Sequence, residues 1–136
     1  MKRIKIQIED QIGLAELLES SYPDICEEFC KLLPLEEDLH YAKIAGEEMI
    51  FLIPKVLPYN PSAMSKVDDV EEGSIAYFPD RQMILIFYGR IQEKDAKINC
   101  FARIVENLEG IKEAGEKVRI NQGKKVIKIK VTVEID

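Results

Sequence analysis

Apolar and polar residues alternate strictly near both ends of the chain. Over residues 2–8, Ile4, Ile6 and Ile8 take one face and Arg3, Lys5 and Gln7 the other. This period of two is the signature of a half-buried strand. Residues 126–135 repeat it, with Ile127, Ile129, Val131, Val133 and Ile135 set against Lys128, Lys130, Thr132 and Glu134. Two apolar runs, 73–78 and 82–88, flank Pro79-Asp80-Arg81, which predicts a tight hairpin of well-buried strands. Further strands are expected over 99–105, and over 39–45 and 49–53 around a turn at Gly46-Glu47. Residues 13–19 and 117–121 are weaker strand candidates; the first, GLAELLE, suits a helix equally well.

A helical period enters at residues 23–33. Pro23 fits the first helical position, Asp24 and Glu27 favour the positive N-terminal end, and Ile25, Phe29 and Leu32 share a stripe. Pro34 should end that helix. A short second helix is expected over 108–114, stopping near Gly115. Many short strands with one substantial helix predict a mainly β protein, a closed or nearly closed barrel, because closure removes exposed strand edges.

Composition narrows the picture. The chain of 136 residues is 46% hydrophobic and 32% charged, enough for one domain over 1–136 with a core of its own. The charge sum of −6 argues against a nucleic-acid binder, which needs clustered Lys and Arg. No apolar stretch approaches the length of a membrane span, and the start of the chain does not read as an export signal. The odd cysteine count (Cys26, Cys30 and Cys100) suits free thiols in a reducing compartment, so a cytoplasmic protein is expected.

Isolated chemistry is sparse. His40 is the single histidine and reads as a core-edge or surface residue. Cys26 and Cys30 are four apart on one helical face, but nothing elsewhere completes four ligands. The acidic pairs Glu47-Glu48, Asp68-Asp69 and Glu71-Glu72 read as solvated surface, and Lys124, Lys125, Lys128 and Lys130 as a basic stripe guarding an edge strand. No catalytic residue, metal site or cofactor is therefore expected. Residues 54–72 carry three prolines and few apolar anchors, and are expected to form a mobile cover.

Three stretches in order resemble the cyclophilin barrel. Pro23, Glu27-Glu28-Phe29 and Leu32 are similar to the family's first-helix pattern. Gly73-Ser74-Ile75-Ala76 with Gln82-Met83-Ile84-Leu85-Ile86 resembles its central hairpin, and residues 101–108 (FARIVENL) resemble the segment before its late helix. The match is closer to the small bacterial and archaeal cyclophilin-like proteins of unassigned function, through Gly73, Tyr77-Phe78-Pro79 and residues 104–109. Together the motifs span most of residues 13–114. The resemblance implies an eight-stranded barrel with a helix at each mouth.

It does not imply prolyl isomerase activity. In cyclophilins an Arg donates a hydrogen bond towards the prolyl nitrogen, and Gln, Phe, His and Trp line the pocket. Anchored on Gly46 and Phe101, those positions fall on Ala42 (Arg), Glu47 (Phe), Ile50 (Gln), Ile98 (His) and about Glu93 (Trp). Gln82 keeps a second Gln position and Ile84 replaces an aromatic. What remains is an aromatic and amide-bearing cluster, Tyr77, Phe78, Gln82, Tyr88 and Tyr41, which either lines a groove for a small molecule or peptide or has its rings filling the barrel. A divergent, weak prolyl isomerase is the alternative, and the oligomeric state is left open.

Overall fold

The computed structural model describes residues 2–42, 46–66, 70–91 and 97–134. The strands are β1 (Arg3–Ile8), β2 (Gln11–Leu17), β3 (Leu35–Tyr41), β4 (Gly46–Leu52), β5 (Ser65–Lys66), β6 (Ser74–Phe78), β7 (Met83–Ile91), β8 (Lys97–Glu106) and β9 (Ile127–Val133). Two helices, α1 (Pro23–Cys30) and α2 (Leu108–Asn121), complete the fold. Eight strands pair in the order β2-β1-β9-β3-β4-β7-β6-β8, and β8 returns to β2 to close the ring. Every pairing is antiparallel. The two-residue β5 lies along the start of β8, where β2 does not reach.

Alternation along each strand divides the apolar residues between two cores. Ile4, Ile6, Ile75, Tyr77, Ile84, Ile86, Met49 and Phe51 point into the barrel with Ile129 and Val131. α1 closes one mouth, where Phe29 meets Phe101 with ring centroids 5.2 Å apart. α2 closes the other, burying Ile111, Ala114, Gly115 and Val118. The intervening residues on the outer wall, Ala76, Phe78, Leu85, Phe87 and Ile98, form a second buried cluster.

Five expectations need correction. α1 ends at Cys30, and the chain turns twice before Pro34. β3 begins at Leu35, because Glu36 and Asp38 pair opposite Lys130 and Lys128 of β9. β9 is therefore no edge: it is hydrogen-bonded on both sides, and Lys128 Nζ meets Asp38 Oδ1 at 2.8 Å. Opposite charges across a pair, rather than edge protection, account for the lysines.

The largest correction concerns α2, which continues through Gly115 to Asn121 and absorbs the strand expected over 117–121. Gly115 is not a stop. Its backbone packs on the Tyr88 ring so closely that a Cβ there would come within 2.7 Å of it. Val118 then falls on the buried stripe with Ile111 and Ala114, at spacings of three and four, while Ile120 stays exposed.

The 54–72 segment is better anchored than expected. Leu57 is buried, and its N–H donates to Tyr77 Oη at 3.1 Å. The fully buried Asn99 accepts from Asn60 N–H at 2.7 Å and donates to the carbonyls of Asn60 and Ala63. Three prolines restrict the chain, and one buried amide pins it; residues 67–69 lie outside the described residues. Among the described residues no helix is long and apolar enough to cross a membrane.

Candidate functional site

The outer wall of β4, β7, β6 and β8 is where the resemblance places the isomerase pocket. Ile50 and Ile98, at two of its polar positions, do meet there, packed with Phe78, Leu85 and Phe87. Phe87 and Ile98 are both 0% exposed. Met83, Cys100 and Val70 pack against the same cluster. Burial there pushes the Cys100 thiol up to about 11. Among the described residues this cluster is apolar apart from the Cys100 thiol, with Glu48 buried across from Phe87 at its edge. Ala42, at the Arg position, brings only its backbone, whose N–H donates to Glu48 O at 3.1 Å. Ile84, at an aromatic position, faces the barrel interior instead. Glu93 lies outside the described residues.

The five expected groove residues are not brought together. Tyr77 fills the barrel beside the α1 mouth with its hydroxyl held by Leu57. Phe78, the next residue, points outwards into the second cluster, as neighbours in a strand must. Gln82 adopts a left-handed conformation (φ 54°) after a 3-10 turn and donates from Nε2 to Ile53 O at 2.7 Å. Tyr88 and Tyr41 belong to the opposite mouth, under α2.

That mouth carries the polar chemistry. Tyr88 is 1% exposed, and its hydroxyl lies 3.2 Å from the Gly115 carbonyl and 3.3 Å from Glu116 Oε2. Burial first, then the nearby Glu116 carboxylate, raises the phenol well above its usual range, so it stays neutral. Arg119 grips Glu116 in a fork, Nη2 to Oε1 at 2.8 Å and Nε to both oxygens. The Arg119 hydrogen bonds hold the Glu116 carboxyl below the ordinary value. Tyr41 is half-buried beside them, and its backbone N–H donates to Gln122 Oε1 at 2.8 Å.

Two cavities open on this mouth and share Gln122 and Gly123. One, about 370 Å³, is lined by Tyr41, Arg119, Gln122 and Gly123. The other, about 330 Å³, runs between β3 and the turn after α2, past Leu39, His40, Val118, Lys124 and Val126. Either falls in the size range of small-molecule sites. A larger cavity of about 570 Å³ lies at the other mouth against Cys26 and Cys30. Burial pushes the Cys26 thiol there up to about 12, which makes it a poor nucleophile. No group of three or more metal-ligating side chains occurs among the described residues.

Sequence reasoning missed Arg119, Gln122 and Gly123 because residues 117–121 read as strand. The Glu116/Arg119 spacing of three, a helical pair, was the available signal.

A closed antiparallel barrel with a helix at each mouth and a filled outer groove defines the class. The chain belongs to the cyclophilin-like family, whose model matches residues 2–127. Solved structures similar to the chain include the following two. McbB in complex with tryptophan has a TM-score of 0.78 at 18% identity, over 95% of this chain; the chain spans 44% of McbB. The hypothetical protein AF2241 from Archaeoglobus fulgidus has a TM-score of 0.68 at 20% identity, over 96% of this chain and 93% of its own. At these identities the likeness shows the fold alone. No curated protein matches the chain.

Proposed function

We propose that this protein is a binding module rather than a prolyl isomerase, and that it holds a small molecule in the cleft at the α2 mouth. The observation that carries this reading is a contrast within one barrel. The isomerase position is filled by Ile50, Phe87 and Ile98, while a cavity of about 370 Å³ stands open beside Tyr41 and Arg119 and one of about 330 Å³ beside His40 and Lys124. Tyr41 supplies an aromatic face, and Arg119, Gln122 and Lys124 supply polar groups that fix orientation, the composition expected of a small-ligand site. Of the five groove residues anticipated from sequence, Tyr41 lines this cleft and Tyr88 supports it from below; Tyr77, Phe78 and Gln82 have structural work elsewhere. McbB, 44% of which is similar in fold to this chain, is seen in complex with tryptophan, which agrees with a small-molecule reading.

Two assays test the reading. A protease-coupled peptide assay should return no isomerisation above background, since loss of even one preorganised donor costs about 3–4 kcal/mol, a factor of roughly 10²–10³. A thermal-shift screen of small metabolites should find a compound that raises Tm in the wild type and not in Tyr41→Ala. Isomerase rates near those of an authentic cyclophilin would overturn it, as would stabilisation indifferent to Tyr41.

A further inference from the structure

The cleft combines two polarities that neither a simple anion nor a simple cation satisfies. On one side are cationic side chains. Lys124 lines the 330 Å³ cavity and makes no ion pair among the described residues. Arg119 spends Nε and Nη2 on Glu116, which leaves Nη1 without a bond among those residues. Lys125 adds charge at the rim, although Glu9 Oε2 already engages it at 3.2 Å. On the other side is the C-terminal end of α2. There Gln122 N–H bonds the Arg119 carbonyl, and Lys124 and Lys125 N–H both bond that of Asn121. Val118, in the last turn of α2, lines the cavity.

A helix C-terminus carries roughly half a negative charge and favours a cation, while repelling an anion. The lysine and arginine favour the reverse. A ligand bearing both charges a few ångströms apart meets both demands. Gly123 adds room for it: its φ is +82°, and a Cβ built there would meet nothing within 4 Å.

We propose that the ligand class is a small zwitterion, with its ammonium at the α2 C-terminal carbonyls and its carboxylate towards Lys124 and the spare Arg119 nitrogen. This rests on the reading of the cleft as the ligand site. An α-amino acid with an aromatic side chain is the simplest member, its ring lying against Tyr41.

The test is an amide chemical-shift titration of the whole chain with three probes: L-phenylalanine, its N-acetyl derivative (anion only) and its methyl ester (cation only). The amino acid should shift amides in 39–41 and 118–126 and bind at least tenfold more tightly than either derivative. Lys124→Ala, at an exposed turn where folding is not at stake, should weaken the amino acid several-fold and leave the ester unchanged. A derivative that binds as tightly as the amino acid, at the same amides, overturns the zwitterion and leaves the cleft standing. Absence of any shift at these amides with all three probes likewise overturns the zwitterion, and the cleft reading then falls only if the thermal-shift screen also finds no Tyr41-dependent compound.

Discussion

The outer wall of β4, β7, β6 and β8 and the cleft under α2 are two surfaces of one barrel with opposite character. On the wall, Ile50 and Ile98 stand at polar positions of an isomerase pocket, Ala42 brings only its backbone, and Gln82 keeps its amide but spends it on Ile53 O. Phe87 and Ile98 are as buried as the barrel interior. At the α2 mouth, polar groups keep contact with solvent, and the one large ring that is fully buried, Tyr88, still has its hydroxyl satisfied. The closed ladder of backbone hydrogen bonds is indifferent to which surface is filled. A barrel can therefore keep its topology while the packing of its surfaces changes.

Mutations should separate the two surfaces. Phe87→Ala should give the largest effect, about 3–5 kcal/mol of lost stability by chemical denaturation, because it empties a packed site. A loss under 1 kcal/mol would mean the wall is open. Gly115→Ala comes next. Ala is favoured over Gly in a helix by about 1 kcal/mol, but its Cβ would fall 2.7 Å from the Tyr88 ring. Overpacking should win, for a net loss of about 1–2 kcal/mol; stabilisation would show that the α2 contact is loose.

Cys100 offers a gentler probe of the wall. The unfolded thiol ionises near 9.0 and the folded one near 11. Between those values the unfolded chain binds fewer protons, so stability falls as pH rises. The contribution is complete below pH 9 and lost by about pH 11. Urea midpoints taken across that window should fall less steeply in Cys100→Ala than in the wild type. Smallest of all should be Tyr41→Ala, with a stability change under about 1 kcal/mol, as for a half-exposed side chain, together with loss of ligand stabilisation.

How much of this was legible beforehand follows from which forces set each element. β1 and β9 read correctly because a period of two survives in Ile4-Ile6-Ile8 and Ile127-Ile129-Val131 whatever their partners are. The start of β3 did not, because Glu36 and Asp38 form strand only through the lysines facing them across β9. The end of α2 failed for a similar reason. Gly115 breaks a helix in isolation, and only the Tyr88 ring, 27 residues away in sequence, explains its presence inside one. The candidate site suffered most. Tyr77 and Phe78 are adjacent and aromatic, yet β-strand alternation sends one into the barrel and the other out of it. Arg119 and Gln122 joined the site only once the helix was known to run that far.

The central claim, that the outer wall is core and not groove, is tested most directly by methyl NMR with a soluble paramagnetic agent. Relaxation enhancement is read at the Ile98 and Leu85 methyls, with Ile4 and Ile129 as interior references and Ile12 and Val126 as exposed ones. The prediction is that Ile98 and Leu85 are as protected as Ile4 and Ile129. Enhancement approaching that of Ile12 and Val126 would contradict it and restore a groove at the isomerase position.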